Sequence, residues 1–307
     1  MGPDSRMRVT SLGSGSSGNA LLVEAGPRGR TKLLIDAGFS SRILIERLRK
    51  AGIHPMELRG VLVTHEHIDH VLGLPVLMKH YSIPAISAPD TLAAIQQGTA
   101  TWPADQVTLV STIGYSRLVE QAIPMQIGLQ IGLQVGSRCM IGDIEVVSFP
   151  VSHDAVAPCG YLLSAGGCRI CIAIDSGEVT STMLEAMRHA DLLILESNHD
   201  RERLIRGPYP YALKQRILGA TGHLSNDQAA DAVLQTWRTD SVRWLWLSHL
   251  SRTNNTPKLA LHGMVNRLEK AGASLEQIHI SVSPPGMGGV WDSTQLWHSP
   301  SLWEIPG

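Results

Sequence analysis

Thr64-His65-Glu66-His67-Ile68-Asp69-His70 follows directly on the apolar run Val61-Leu62-Val63. The run reads as a buried strand, and a strand end that feeds a loop is a rigid mount for aimed side chains. Residues 65–70 gather three imidazoles and two carboxylates. Those donors suit borderline divalent metals such as zinc, manganese or iron. His65 and His67 are two positions apart, so on an extended backbone they project to one side and can share an ion. Asp69 and His70 fall further round the loop, within reach of a second.

Outward from this stretch, three more candidates close apolar runs: His153 after 146–151, Asp175 after 170–174 and His249 after 244–247. Each alone is weak, since a single histidine at a strand end is more often a hydrogen-bonded structural residue. In this chain order, behind the histidine-rich stretch, they form a constellation. Residues 9–12, 20–25, 33–36, 61–64, 144–149, 161–164, 168–175, 192–196 and 243–247 read as strands. Helical spacing marks 41–51, 72–80, 89–97, 182–190, 226–236 and 257–271. Ser225 with Gln228 has the pattern of a capping box ahead of the 226–236 helix. This mixture, with short connections early and βα units later, predicts a layered α/β architecture rather than a bundle or an all-β barrel. Residues 98–137 are the least regular. Gln126-Ile-Gly-Leu, Gln130-Ile-Gly-Leu and Gln134-Val-Gly repeat at period four, too short for a solenoid, and read as expanded loop or irregular strand.

The 307 residues suffice for about two domains, or one large two-lobed one, at ~150 residues each. Apolar residues make up 43% and charged residues 17%, which excludes a disordered polymer. No run approaches the ~18 apolar residues of a membrane span. The N-terminus has no secretory apolar run, and Arg6 stands where a myristoylation motif needs Ser or Thr. The expected address is the cytoplasm, with no membrane partner. Lys and Arg total 26 against 27 Asp and Glu, a net charge of −1, so only a local basic patch can favour nucleic acid. Four cysteines are too few for a disulfide scaffold. Cys168 and Cys171 form a CxxC inside a strand pattern, where an offset of three puts them on opposite faces. They read as buried thiols rather than half a zinc knuckle.

The order HxHxDH, His153, Asp175, His249 resembles the metallo-β-lactamase superfamily. The resemblance implies a four-layer αββα sandwich with a dinuclear site along one edge of its two sheets. It implies His65, His67 and His153 on one divalent ion, Asp69, His70 and His249 on the other, and Asp175 between them. Asp rather than Cys at 175, and His70 beside Asp69, are closer to the hydrolase and phosphodiesterase branches than to the antibiotic-hydrolysing ones. Further blocks look like the YycJ (WalJ) family of bacterial metallo-hydrolases. They are Ser14-Gly-Ser-Ser-Gly-Asn19, Ser152-His-Asp-Ala155, Glu196-Ser-Asn-His-Asp200, Tyr209-Pro-Tyr-Ala-Leu-Lys-Gln-Arg-Ile217, Gly222-His-Leu-Ser-Asn226, and His249-Leu-Ser with Asn254-Asn255. Together they run over about residues 11–260. The chain departs from the family at Ile174-Asp-Ser-Gly177, where Thr-Asp-Thr-Gly is usual, and at the 126–136 repeat, which looks like a local insertion. Neither removes a ligand. The resemblance implies one hydrolase domain over 1–307, with lobes of roughly 1–150 and 151–283 and an irregular tail at 284–307. It also implies two divalent ions and nuclease activity, as a double-strand DNA exonuclease in repair.

Around this ligand set, Asp69 can orient the attacking water through its second oxygen. His223 is the general-acid candidate, or else caps or packs against the helix that follows. Glu196 and His199 resemble an acid and a histidine that flank such sites in related nucleases. Glu196 either fixes the tautomer of a ligating histidine or pairs with an arginine. Lys214 and Arg216, with Arg201, Arg203 and Arg206, form the densest basic segment and suit phosphate. Asp200 and Glu202 dilute it, and a solvated helix face is the alternative. The 13–19 loop, with Ser16 and Asn19, can offer backbone N–H groups to an anion or serve as a tight turn near the metals. Trp244 and Trp246 share a strand face and read as core. Two other functions compete: a small thioester or similar ester hydrolase on the same metal core, and a non-catalytic metal-binding regulatory protein. The full ligand set argues against the latter.

Overall fold

Apolar side chains alternate along the long strands so that both faces of each sheet need cover. In β3 (Thr31–Ile35), Leu33 and Ile35 face one side and Leu34 the other. The computed structural model, which describes residues 6–98 and 130–294, arranges such strands in two seven-stranded sheets. The first runs β14 (Val290–Asp292), β1 (Met7–Gly13), β2 (Ala20–Ala25), β3, β4 (Gly60–Leu62), β5 (Ala85–Ser87), β6 (Gln130–Gly132). The second runs β13 (Ile278–Val282), β12 (Arg243–Ser248), β11 (Leu192–Glu196), β10 (Cys168–Ala173), β9 (Cys159–Ala165), β8 (Ile144–Pro150), β7 (Arg138–Ile141).

The inner faces meet in one apolar layer that includes Val9, Leu33, Ile35, Leu62, Tyr161, Ile170, Ile194 and Trp246. Helices cover each outer face. On the first sheet lie α1 (Ser41–Lys50), α2 (Ile68–Val71), α3 (Leu74–Tyr81) and α4 (Pro89–Gln96). The face of α1 that packs down carries Leu44 and Leu48, one turn apart. On the second sheet lie α5 (Ser181–Arg188), α8 (Asn226–Gln235) and α9 (Pro257–Lys270), with the short α6 (Arg201–Arg206) and α7 (Tyr211–Leu218) in the connection from β11 to α8. The result is the αββα sandwich. Fully burying each Leu or Ile of these three layers contributes about 1.5–3 kcal/mol. No helix among the described residues is long and apolar enough to cross a membrane.

Ser225 and Gln228 make the expected reciprocal capping box. Cys168 faces the inter-sheet layer and Cys171 the helix layer, both as free thiols. Trp246 is core, and Trp244 packs beside it and stacks on His279. Two expectations need correction. The 72–80 helix begins only at Leu74: α2 stops before Gly73, whose N–H bonds Ala37 O at 2.7 Å, and Pro75 opens the new turn. The 284–307 tail is not all irregular, because residues 290–292 form β14 and pair antiparallel with β1. Residues 295–307 lie outside the described residues, as does the first copy of the Gln-Ile-Gly-Leu repeat; the second begins with β6.

Candidate metal centre

β3 and β4 run parallel, as do β10, β11 and β12, so their carboxyl ends gather along one edge of the sandwich. Asp36, His65, Asp175, Glu196 and His249 sit at or just beyond those ends. Three of them turn the chain off its sheet with positive φ: Asp36 at 59°, Asp175 at 57° and His249 at 56°. Asp and His enter this region more readily than most residues, yet each instance still costs about 1–3 kcal/mol unless neighbours hold it. Here they do. Asp36 N–H donates to Leu62 O, and His249 N–H donates to Ser14 Oγ at 2.8 Å. Gly38 is required beside this edge, because a Cβ there would overlap the Asp69 carbonyl that receives Asn19 N–H.

Four overlapping sets of ligand-type atoms form among the described residues, each within a 4.8 Å span. Two groups share no residue: His65, His67 and His153, and Asp69, His70 and His249. The other sets are His65, His70 and Asp175, and Asp175, Glu196, His223 and His249. His67 Nδ1 and His153 Nε2 are 3.3 Å apart. Asp175 lies between the groups, with Oδ2 2.8 Å from His70 Nε2 and 3.4 Å from His65 Nε2, and Oδ1 2.5 Å from His249 Nδ1. All seven of these side chains are buried.

The two groups differ in charge. Burial, reinforced by neighbouring imidazoles, pushes His65 well below the usual histidine range and lowers His67 and His153 too. These shifts favour the neutral rings, the form that binds a cation. Against the same burial, the carboxylates of Asp36, Asp69 and Asp175 hold His70 up at about 10, and Asp175 holds His249 well above its ordinary value. The Asp175 carboxyl itself is kept well below the carboxylate range by His249 and His70, although burial opposes this. Protons and metal ions compete for this second set of atoms.

Divalent ions fit these residues. His65 Nε2, both Asp69 carboxylate oxygens and His249 Nε2 are buried and make no hydrogen bond. Buried polar atoms are rarely left so, and these four converge with nitrogen and oxygen donors of the kind zinc, manganese and iron accept.

The other expected residues divide. Glu196 is fully buried, and its partners are two histidines and two backbone N–H groups, rather than an arginine. Oε1 receives His223 Nδ1 at 2.7 Å and His249 Nδ1 at 3.0 Å, and Oε2 receives Ser176 and Leu224 N–H. His223 is not the cap of α8, since Ser225 Oγ fills that place. It lines a cleft with Ser16, Asp154, Asn198, Arg216, His249 and Ser251. His199 is 1% exposed, with neither ring nitrogen hydrogen-bonded and its pKa pushed down to about 4 by burial, and it does not line that cleft. Asn19 turns inward: its Oδ1 takes Gly15 N–H, and its Nδ2 lies 3.1 Å from His70 Nε2. Asn19 thus serves the tight turn and does not face the cleft. Lys214 Nζ donates to Ile205 O, Arg203 Nε donates to Thr253 O, and Arg206 pairs with Glu202. Of the basic residues at 201–216, Arg216 is the one on the cleft.

Sequence reading missed two acids. Asp36 Oδ2 accepts from His70 Nδ1 at 2.8 Å, and Asp36 also receives Thr64 N–H and Oγ1–H. Its signal was the same as that of Asp175, an acid ending an apolar strand. Glu66, inside the histidine-rich stretch, tethers the loop after His153 by accepting Val156 N–H.

Similarities to known proteins bear on the family and the fold. The model of the Beta-lactamase superfamily domain matches residues 31–249. Exodeoxyribonuclease YycJ of Bacillus anthracis is 34% identical over 277 residues, covering 90% of this chain and 95% of that protein. Exodeoxyribonuclease WalJ of Streptococcus pneumoniae serotype 2 is 34% identical over 260 residues, covering 85% and 87%. Among solved structures, the metallo-beta-lactamase fold protein YhfI from Bacillus subtilis is similar in fold, with a TM-score of 0.63 at 16% identity over 94% of this chain and 99% of that one.

Proposed function

Because the chain belongs to the beta-lactamase superfamily, and within it to the family of YycJ and WalJ, we propose that it removes nucleotides from DNA ends. It is a metal-dependent hydrolase of the metallo-β-lactamase fold. The DNA substrate, a role in repair, a cytoplasmic address and action as one hydrolase domain are our finer reading. One observation carries it: Asp175 lies between the two ligand groups, and His249 of the second lines a cleft together with an arginine and a histidine held by a carboxylate.

In this reading His65, His67 and His153 would hold one divalent ion and Asp69, His70 and His249 a second, with the Asp175 carboxylate within reach of both groups. Such a pair supplies Lewis acidity, which activates water near neutral pH and offsets charge on the phosphoryl oxygens. The chain's own residues do the rest. Asp36 accepts the hydrogen bond of His70 Nδ1–H, which leaves His70 Nε2 as the atom that would face an ion. Asp69, whose two oxygens have no hydrogen-bond partner, orients water with the oxygen that does not ligate. Glu196 holds His223 by Nδ1, so the opposite ring nitrogen is the one available to the cleft. From there it gives a proton to the departing 3′ oxygen. Arg216 offers the planar fork that matches phosphoryl oxygens.

Elemental analysis of the purified protein, followed by digestion of end-labelled duplex DNA, tests this. We expect bound divalent metal and a ladder that shortens from one end. A parallel panel sets bis-p-nitrophenyl phosphate against thioesters. Turnover of thioesters alone, with DNA untouched, would overturn the nuclease reading and favour the small-ester alternative.

A further inference from the structure

Asp154 and Arg216 face each other in that cleft, one on the loop after His153 and the other on α7. Arg216 Nε and Nη2 both lie 2.5 Å from Asp154 Oδ2. The other oxygen, Oδ1, is 3.4 Å from His153 Nε2 and 4.0 Å from His67 Nε2. Asp154 N–H bonds Thr221 O at 3.1 Å, which ties this loop to the segment that carries His223. The carboxylate therefore hangs over the first histidine group while it neutralises the arginine of the cleft. Both side chains are partly exposed, 29% for Asp154 and 37% for Arg216. A pair so placed can open without burying a bare charge.

We propose that Asp154 is a built-in occupant of an anion subsite, and that a substrate phosphate takes its place on Arg216. Carboxylate and phosphoryl oxygens fit the same guanidinium fork. The exchange trades one charge-assisted pair for another and releases the Asp154 carboxylate, which is partly exposed and can be taken up by solvent. Asp154 acts as a positioning residue. It keeps Arg216 aimed at the histidine group between turnovers and excludes weak anions, because an entering anion must outcompete it. The identity of the substrate rests on the phosphodiesterase reading, whereas the subsite itself rests on the geometry of the pair.

The test titrates inorganic phosphate into the metal-loaded full chain by calorimetry, alongside KM and kcat for bis-p-nitrophenyl phosphate. An exposed ion pair is worth up to about fivefold in an equilibrium. D154N should therefore bind phosphate about two- to fivefold more tightly, with the kinetic change falling in KM. R216A should weaken phosphate binding by about tenfold or more, and R216K should recover part of it. The double variant should behave as R216A does, because the gain from D154N acts only through Arg216. Equal gains from D154N with and without Arg216 would overturn the proposal. So would unchanged phosphate binding in D154N, or loss of metal from D154N, which would make Asp154 a ligand. If the wild type cleaves no phosphodiester while the phosphate series behaves as expected, the proposed substrate falls and the subsite stands.

Discussion

Asp36→Asn is the most informative single change. Asp36 is 1% exposed and receives three donors: Thr64 N–H at 2.8 Å, Thr64 Oγ1–H at 3.0 Å and His70 Nδ1 at 2.8 Å. Asn keeps the volume and tolerates the φ of 59°, so the backbone turn is left alone. Its amide oxygen can still take Thr64 N–H. Its NH2 group then faces His70 Nδ1, which has lost its acceptor. The change removes one charge-assisted hydrogen bond, worth about 1.5–3 kcal/mol. If that energy serves to fix His70 with Nε2 toward the metal, the affinity loss is about 10–100-fold, the range found when partners of ligating histidines are removed. The assay is metal retention against a graded chelator, read by mass spectrometry, with hydrolysis measured at limiting and at excess metal. D36N should lose metal at correspondingly higher free-ion concentration and regain activity in excess metal. Wild-type retention in a folded D36N would refute the role assigned to this carboxylate.

Three other outcomes are expected. His223→Ala should slow turnover by about 10²–10⁴-fold, the usual worth of a positioned proton donor, with metal content intact; metal loss would instead make His223 a ligand. Only Cys139 should react with a thiol reagent in the native protein, since it is half-buried while Cys159, Cys168 and Cys171 are buried and burial pushes the Cys159 thiol up to about 12. A second fast thiol would contradict the packing of β9 and β10. Asp143 is held down at about 2 by hydrogen bonds from Arg30 and Thr31. With an unfolded value near ~3.9, its contribution is complete above that pH and fades as pH falls toward 2. Asp143→Asn should therefore lower the urea midpoint at pH 7 and do so by about half as much at pH 3; equal losses would rule out the ion pair as the cause.

Much of this molecule is legible in its sequence, for identifiable reasons. β2 and β11 match their expected limits because an apolar strand bounded by polar turn residues is a local signal. The histidine-rich stretch betrays the site because so many donors in one short loop have no other common use. β14 is invisible locally: Val290-Trp291-Asp292 is a strand because β1 offers its edge. Asp36 and Glu196 show the same divide. Both are acids that end strands, but which ring each holds depends on strand order in the folded sheets, where β3 lies next to β4 and β11 next to β12. The role of Asn19 follows from Gly38 and Asp69 crossing beside it, a contact across 50 positions. The separate fates of Lys214 and Arg216 turn on two positions of a helix, which point to different sides and which composition does not resolve.

The pairing of β14 with β1 has a mechanical consequence. Arg8 lies opposite Asp292 and Thr10 opposite Val290, and Met7 N–H reaches Ser293 Oγ, so early and late positions leave the same corner of the sandwich side by side. A tug applied between them loads the rungs one after another, as a zipper does, instead of shearing them together. The seam would part at low force and give way ahead of the interior, while the catalytic edge lies beyond the stretch of ladder first to open.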